Sequence, residues 1–216
     1  MVVISAIVVA TSSTGSAQEA VLLLPLSCAI AEVDGTPVVT QEWISRQVEH
    51  ANAIFEPARV QLSLLDSRPL DRRHARLEDR NDRHALGREM VRDVINCFVV
   101  GSLRDVDDPT VFRQGVHWRP RGIAGGHFVI VSAIAGQTVL AHELGHFFGN
   151  GHSETHDNIM SYNRGDNPPV FDESQLRRIE QRARHFIRTR ELVMREQLVL
   201  PLALLHGVSR RRTPQH

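Results

Sequence analysis

Lysine is missing from this chain. All 25 basic residues are arginine, and they are matched by 25 acidic residues in a total of 216. The missing lysine is read as coding bias, and the charge balance excludes a global field favouring nucleic acid or an anionic membrane surface. Cysteine occurs only twice, at Cys28 and Cys97. No apolar run reaches the ~18 residues that span a bilayer, so no membrane span is expected. Internal repeats and low-complexity linkers are absent as well. What remains is a chain of ordinary single-domain length with enough apolar residues for one core.

Histidine, by contrast, is plentiful, and three of the 12 fall in V-L-A-H-E-L-G-H-F-F-G-N-G-H, residues 139–152. At about 3.6 residues per turn, His142 and His146 share one helical face, so both imidazoles can address one ion. Glu143 lies beside that face, within reach of a water on the metal. Leu140, Leu144 and Phe147 can turn the opposite side toward a core. Gly149 permits a backbone reversal that would bring His152 to the same ion. Three nitrogen ligands with a fourth position open describe a catalytic zinc, whereas a structural zinc usually closes its shell with four ligands, commonly cysteines, and this segment has none. Zinc lowers the pKa of its water to roughly 7, and a glutamate at the second motif position is placed to take that water's proton. From this chain's own composition H-E-x-x-H would arise by chance in roughly 4 of 100 such sequences, but the added glycine and third histidine reduce that to about 1 in 10,000. A helix of merely solvated or core histidines is therefore the weaker reading.

The extended pattern H-E-x-x-H-x-x-G-x-x-H resembles the signature of the metzincin zinc peptidases. Met160, within D-N-I-M-S-Y eight residues after His152, resembles the methionine of the turn beneath the metal in that family. Gly145 and Ser153 look matrixin-like, whereas Met160-Ser161-Tyr162 looks like the astacin and serralysin turn, so the branch stays open. No cysteine follows the zinc motif as it does in archaemetzincins. The resemblance is strongest over 139–162 and extends in layout over about 20–190. It implies an α+β fold: a twisted, mixed five-stranded sheet, an active-site helix, and a small lower subdomain ending in a C-terminal helix. It also implies one catalytic Zn2+ on His142, His146 and His152, with Glu143 as general base and Tyr162 approaching the metal and donating its hydroxyl to the oxyanion. A peptide or protein substrate would add as a strand along the sheet's edge, with Gly122, Ile123, Ala124 and Gly125 forming the upper rim of the cleft. A plain hairpin without a ligand is the alternative for that rim.

Along the chain, 21–30 is expected as a buried strand before the turn residues Asp34 to Pro37. Thr40 caps a helix over 41–55, followed by a strand over 60–65. Residues 66–92, dense in Arg, Asp and Glu, are expected as a solvated excursion with a surface helix. A third strand over 94–100 precedes two strands, over 122–126 and 127–132, joined by a glycine turn. A long helix is expected over 171–193 with Asp172 near its start. The catalytic domain is thus expected over 19–193, with a tail over 194–216. Residues 1–18 form a candidate signal peptide: an apolar run, then T-S-S-T-G-S-A, but no positive n-region. A displaced chain start or an ordinary first strand would account for it equally; cleavage would make the protein secreted. A monomer is expected.

Cys28 and Cys97 are expected on adjacent parallel strands as two buried free thiols, because a disulfide there would be strained. His127, in G-G-H-F, resembles a matrixin histidine serving a second, structural zinc, but no complete partner set accompanies it. His156 could compete as a ligand, although the G-x-x-H spacing selects His152. The functional expectation is a zinc endopeptidase. The alternatives are a silent metzincin-shaped zinc-binding module, against which the presence of Glu143 speaks, and a zinc amidase acting on small substrates, which a narrow pocket would favour.

Overall fold

A computed structural model describes residues 20–193 apart from 124 and 164. The candidate signal peptide, the expected tail and Ala124 lie outside the described residues. In chain order the elements are β1 (Leu22–Val33), β2 (Thr36–Pro37), α1 (Gln41–Phe55), β3 (Val60–Leu70), β4 (Arg76–Leu77), α2 (Arg80–Ala85), β5 (Ile95–Val100), β6 (Ser102–Leu103), β7 (Gly115–Trp118), β8 (Phe128–Ser132), α3 (Val139–Phe147) and α4 (Glu173–Arg188). β3, β1, β5 and β8 lie side by side in parallel, and β7 closes on β8 in the antiparallel sense. The two-residue β2 pairs with the end of β1. This is the expected mixed α+β sheet, five principal strands with a short sixth. No helix among the described residues is long and apolar enough to cross a membrane.

The inner strands are apolar on both faces, as parallel strands covered on both sides must be. Alternate residues sort them. Leu24, Leu26, Cys28 and Ile30 of β1 and Ile95, Cys97 and Val99 of β5 join the large core under α1, α3 and α4. Ala29, Ala31, Phe98, Val100, Phe128 and Ile130 face the other way into a second core. That second core corrects the expectation for 66–92. Instead of standing in solvent, the segment extends β3 to Leu70 and sends Leu70, Ala75, Leu77 and Leu86 into the opposite face of the sheet. Its few apolar residues follow no single period, so the many charges between them concealed the packing.

Thr40 caps α1 as expected, its hydroxyl accepting the Trp43 amide N–H. α4 begins with a reciprocal cap between Asp172 and Gln175 and is shorter than expected. It ends where Arg190 takes φ +60° and the Leu192 amide turns back to the Phe186 carbonyl. Cys28 and Cys97 are register partners on β1 and β5, both buried as free thiols. Their mutual hydrogen bond, then burial, raises the Cys28 thiol well above its ordinary range.

Candidate metal centre and cleft

α3 turns Leu140, Ala141, Leu144 and Phe147 into the core and leaves His142 and His146 toward the cleft, one turn apart. Its end follows from Gly149, at φ +91°, a left-handed conformation that a side chain would resist. The Gly149 amide caps the His146 carbonyl and the Asn150 amide caps that of Gly145, each at 2.9 Å. The reversed chain returns the Asn150 carbonyl to His146 Nδ1 at 2.8 Å and brings His152 Nε2 to 3.2 Å from His146 Nε2. On α4, Arg178 holds the Asn150 side-chain oxygen at 3.0 Å and so fixes this return.

His142 is oriented from the opposite side. Its Nδ1 donates to the Ile159 carbonyl at 2.8 Å. Ile159 belongs to a turn pinned by Asn158, whose side-chain amide is doubly bonded to that of Gln175 at the start of α4. The next residue, Met160, is fully buried, and a Cβ on Gly145 would stand 2.4 Å from its sulfur. Glycine at 145 is therefore what lets the methionine pack directly beneath the helix. Tyr162 is 72% exposed, with its hydroxyl 3.1 Å from His152 Nε2.

The ligating atoms of His142, His146 and His152 lie within 4.8 Å of one another, and they form the one such cluster of three or more metal-binding side chains found among the described residues. Two of the three have Nδ1 committed to a backbone carbonyl, which fixes Nδ1–H and leaves Nε2 as the lone-pair atom. Tetrahedral zinc with Zn–N of about 2.0–2.1 Å sets ligand nitrogens about 3.3 Å apart, close to the His146–His152 spacing. The donor set thus fits one zinc ion with an open position. Glu143 is 6% exposed. Burial pushes its carboxyl up to about 8, although the His117 amide N–H pulls it the other way.

The residues suggested as the rim are not in the edge strand. Gly122 and Gly125 sit at φ +78° and +71°, in the connection between β7 and β8 and outside any strand, and neither lines the cleft. Ile123, also away from the cleft lining, folds back within 2.7 Å of the position a Cβ on Gly87 would take. The edge strand is β7, only four residues long and flanked by arginines and a proline, a run too short to show a period. It borders a cleft of about 1000 Å³ that also takes in His142, Glu143, His146, His152 and Tyr162. Sequence reasoning also missed Gly115, where a Cβ would stand 2.9 Å from Glu143 Oε1, and the Asn158–Gln175 pair.

His127 does not join the cluster. Its Nδ1 meets His117 Nε2 at 2.8 Å, and its ring stacks on Phe147 at 3.9 Å. His156 is an exposed partner of Asp157. Burial, then the charge of His127, holds His117 down to about 3, and burial, then the charge of Arg119, holds His127 to about 4, against an ordinary 6.5. Depressed values mean that the unfolded chain binds more protons once the pH falls below about 6.5, so the stability due to this neutral pair is present above that pH and lost on acidification. In metal-free protein the denaturant midpoint should fall between roughly pH 6.5 and 4.5, above the range in which carboxylates dominate. His127→Gln should flatten the slope. Equal slopes in the two proteins would remove this pair from the account.

No family model matches the sequence, and no curated protein matches it. Solved structures do match in fold. Metalloproteinase-II from Bacteroides fragilis aligns with 76% of this chain at TM-score 0.53 and 15% identity, and 55% of that chain is covered, so this chain spans about half its length. Mirolysin, solved in complex with a compound, aligns over 81% of this chain and 99% of its own at TM-score 0.58 and 10% identity. An archaemetzincin from Methanopyrus kandleri aligns over 74% and 96% at TM-score 0.51 and 15% identity. The chain has the metzincin-type metallopeptidase fold that these proteins share.

Proposed function

We propose that this protein is a zinc-dependent endopeptidase. The observation that carries the reading is a three-histidine cluster beside a buried glutamate, in a cleft bordered by a sheet edge. An extended peptide adds to an exposed edge by main-chain hydrogen bonds, and β7 offers that edge next to Glu143. A cleft of about 1000 Å³ stands at the upper end of small-molecule sites, which favours a peptide over a small amide. Solved structures named as a metalloproteinase and as an archaemetzincin share the fold.

His142, His146 and His152 would hold the zinc, the first two through nitrogens already oriented by their backbone partners. When bound, the ion supplies Lewis-acid activation of the attacking water and polarisation of the scissile carbonyl. Glu143 would accept the water's proton and return it to the departing amine, as a carboxylate in the cleft between two of the ligand histidines is placed to do. The Tyr162 hydroxyl donates a hydrogen bond to the oxygen on which charge develops. One such donor contributes about 3 kcal/mol, roughly a hundredfold in rate.

Incubation with a diverse peptide library, with and without a zinc chelator, tests the reading by mass spectrometry. Chelator-sensitive internal cleavage is expected; intact peptides under all conditions, from protein shown to hold zinc, would favour the silent binding module. Tyr162→Phe should lower turnover by about tenfold or more with KM and zinc content little changed. With 72% exposure its loss should not unfold the chain. Turnover equal to the parent's would make Tyr162 a packing residue.

A further inference from the structure

Charge in the cleft is unevenly compensated around the end of β7. Besides Glu143, the carboxylates lining it are Asp105 and Asp107, and both are already engaged. Arg113 donates to Asp105, which also accepts the Asp107 and Asp108 amides at 2.8 Å, while Arg80 pairs with Asp107. Two other arginines of the lining, Arg83 and Arg119, have no carboxylate partner among the described residues. Arg83 is 2% exposed. Its guanidinium lies 4.9 Å above the Trp118 ring and Nη2 donates to the Arg104 carbonyl at 2.5 Å, but its Nε is buried with no partner. Trp118 is itself held, its Nε1 donating to His84 Nδ1 at 3.1 Å. Arg119 is exposed beside it, and its charge helps to depress the protonation of His117 and His127.

Burial of the Arg83 guanidinium is costly; Asp105 favours its charge but is itself hydrogen-bonded to Arg113, so a further carboxylate arriving from outside would offset the remaining cost. Trp118 ends β7 three residues beyond Gly115, about 10 Å along the strand. A peptide lying on β7 with its scissile bond facing Glu143 therefore presents a side chain here about three residues from that bond. We propose that Arg83, Arg119 and Trp118 form a carboxylate subsite that selects peptides with an Asp or Glu side chain at this distance. The proposal deepens the peptidase reading and rests on it.

The test is equilibrium binding to zinc-loaded Glu143→Gln protein, measured by fluorescence anisotropy. Labelled peptides carry a single Glu, Gln or Lys walked along the sequence, each made with a free or an amidated C-terminus. At one position Glu should bind about tenfold or more tightly than Gln, and the preference should shrink as salt screens it. Arg119→Gln should bring the ratio toward one, and Arg119→Glu should turn it toward Lys; because Arg119 is exposed, both variants should fold. Equal binding of Glu and Gln peptides at every position, a preference that Arg119→Gln leaves intact, or one that follows the free C-terminus instead of the side chain would each overturn the proposal. The two readings fail separately. Library hydrolysis with no acidic preference removes the subsite alone, and acidic preference in binding with no hydrolysis by the parent protein removes the peptidase alone.

Discussion

Glu143→Gln should bind zinc as the parent does and hydrolyse peptides about a thousandfold more slowly, within the range attributed to a positioned general base. Ligation and proton transfer are separable here. The clustered ligand atoms are those of His142, His146 and His152, whose orientation comes from Ile159, from Asn150 and from the Gly149 reversal. Glutamine keeps the size of glutamate, and its carbonyl can still accept the His117 amide, but it cannot take a proton. The substitution also replaces a buried ionisable group with a neutral one, so thermal stability should hold or rise. Zinc content and single-turnover rates separate the outcomes: turnover near the parent value would remove Glu143 as the base, and loss of zinc would make it part of the metal's support.

Gly115→Ala should lower kcat about a hundredfold while zinc content stays at the parent level. A Cβ at this position would stand 2.7 Å from Val139 Cγ1, 2.8 Å from Glu143 Cγ and 2.9 Å from Glu143 Oε1. Two of these atoms lie near the backbone of α3, whose other side is packed in the core, so the helix has little room to yield. Either the carboxylate rotates away or β7 lifts from the helix. A displacement of about 1 Å in a catalytic group is enough for a loss of that size, and overpacking costs about 1–3 kcal/mol in stability. If the base moves, kcat falls with KM nearly constant; if the edge strand lifts, KM rises. A variant with both constants and its melting temperature at parental values would show that the close approach of Gly115 to Glu143 has no catalytic consequence.

Parts of this site could be read without any coordinates because they depend only on local geometry. The four-residue interval from His142 to His146 is one helical turn in any α-helix, and a glycine before the third histidine permits the reversal wherever the helix ends. The inner strands were legible for a similar reason: a parallel strand buried on both faces is an uninterrupted apolar run, as β5 and β8 are. The edge strand was not. β7 has partners on one side only, so its four residues are all half-buried and carry no period, whereas the glycines at 122 and 125, which suggested an edge strand, take positive φ values and lie in the connection that follows β7.

The sequence by itself determined the ligand triad's spacing, the strand and helix order through α1, β1 and β5, and the presence of a glutamate between two of the ligands. Only the tertiary structure decided that Glu143 is buried, because its environment comes from β7, more than twenty residues earlier in the chain. The same holds for the lock on His142, which runs through Ile159 and Asn158 to Gln175 on α4, and for the placement of Arg83 over Trp118. Desolvation, close approach and side-chain pairing depend on which distant segments meet. A helical interval fixes one face of one element, but it cannot specify what is packed against it.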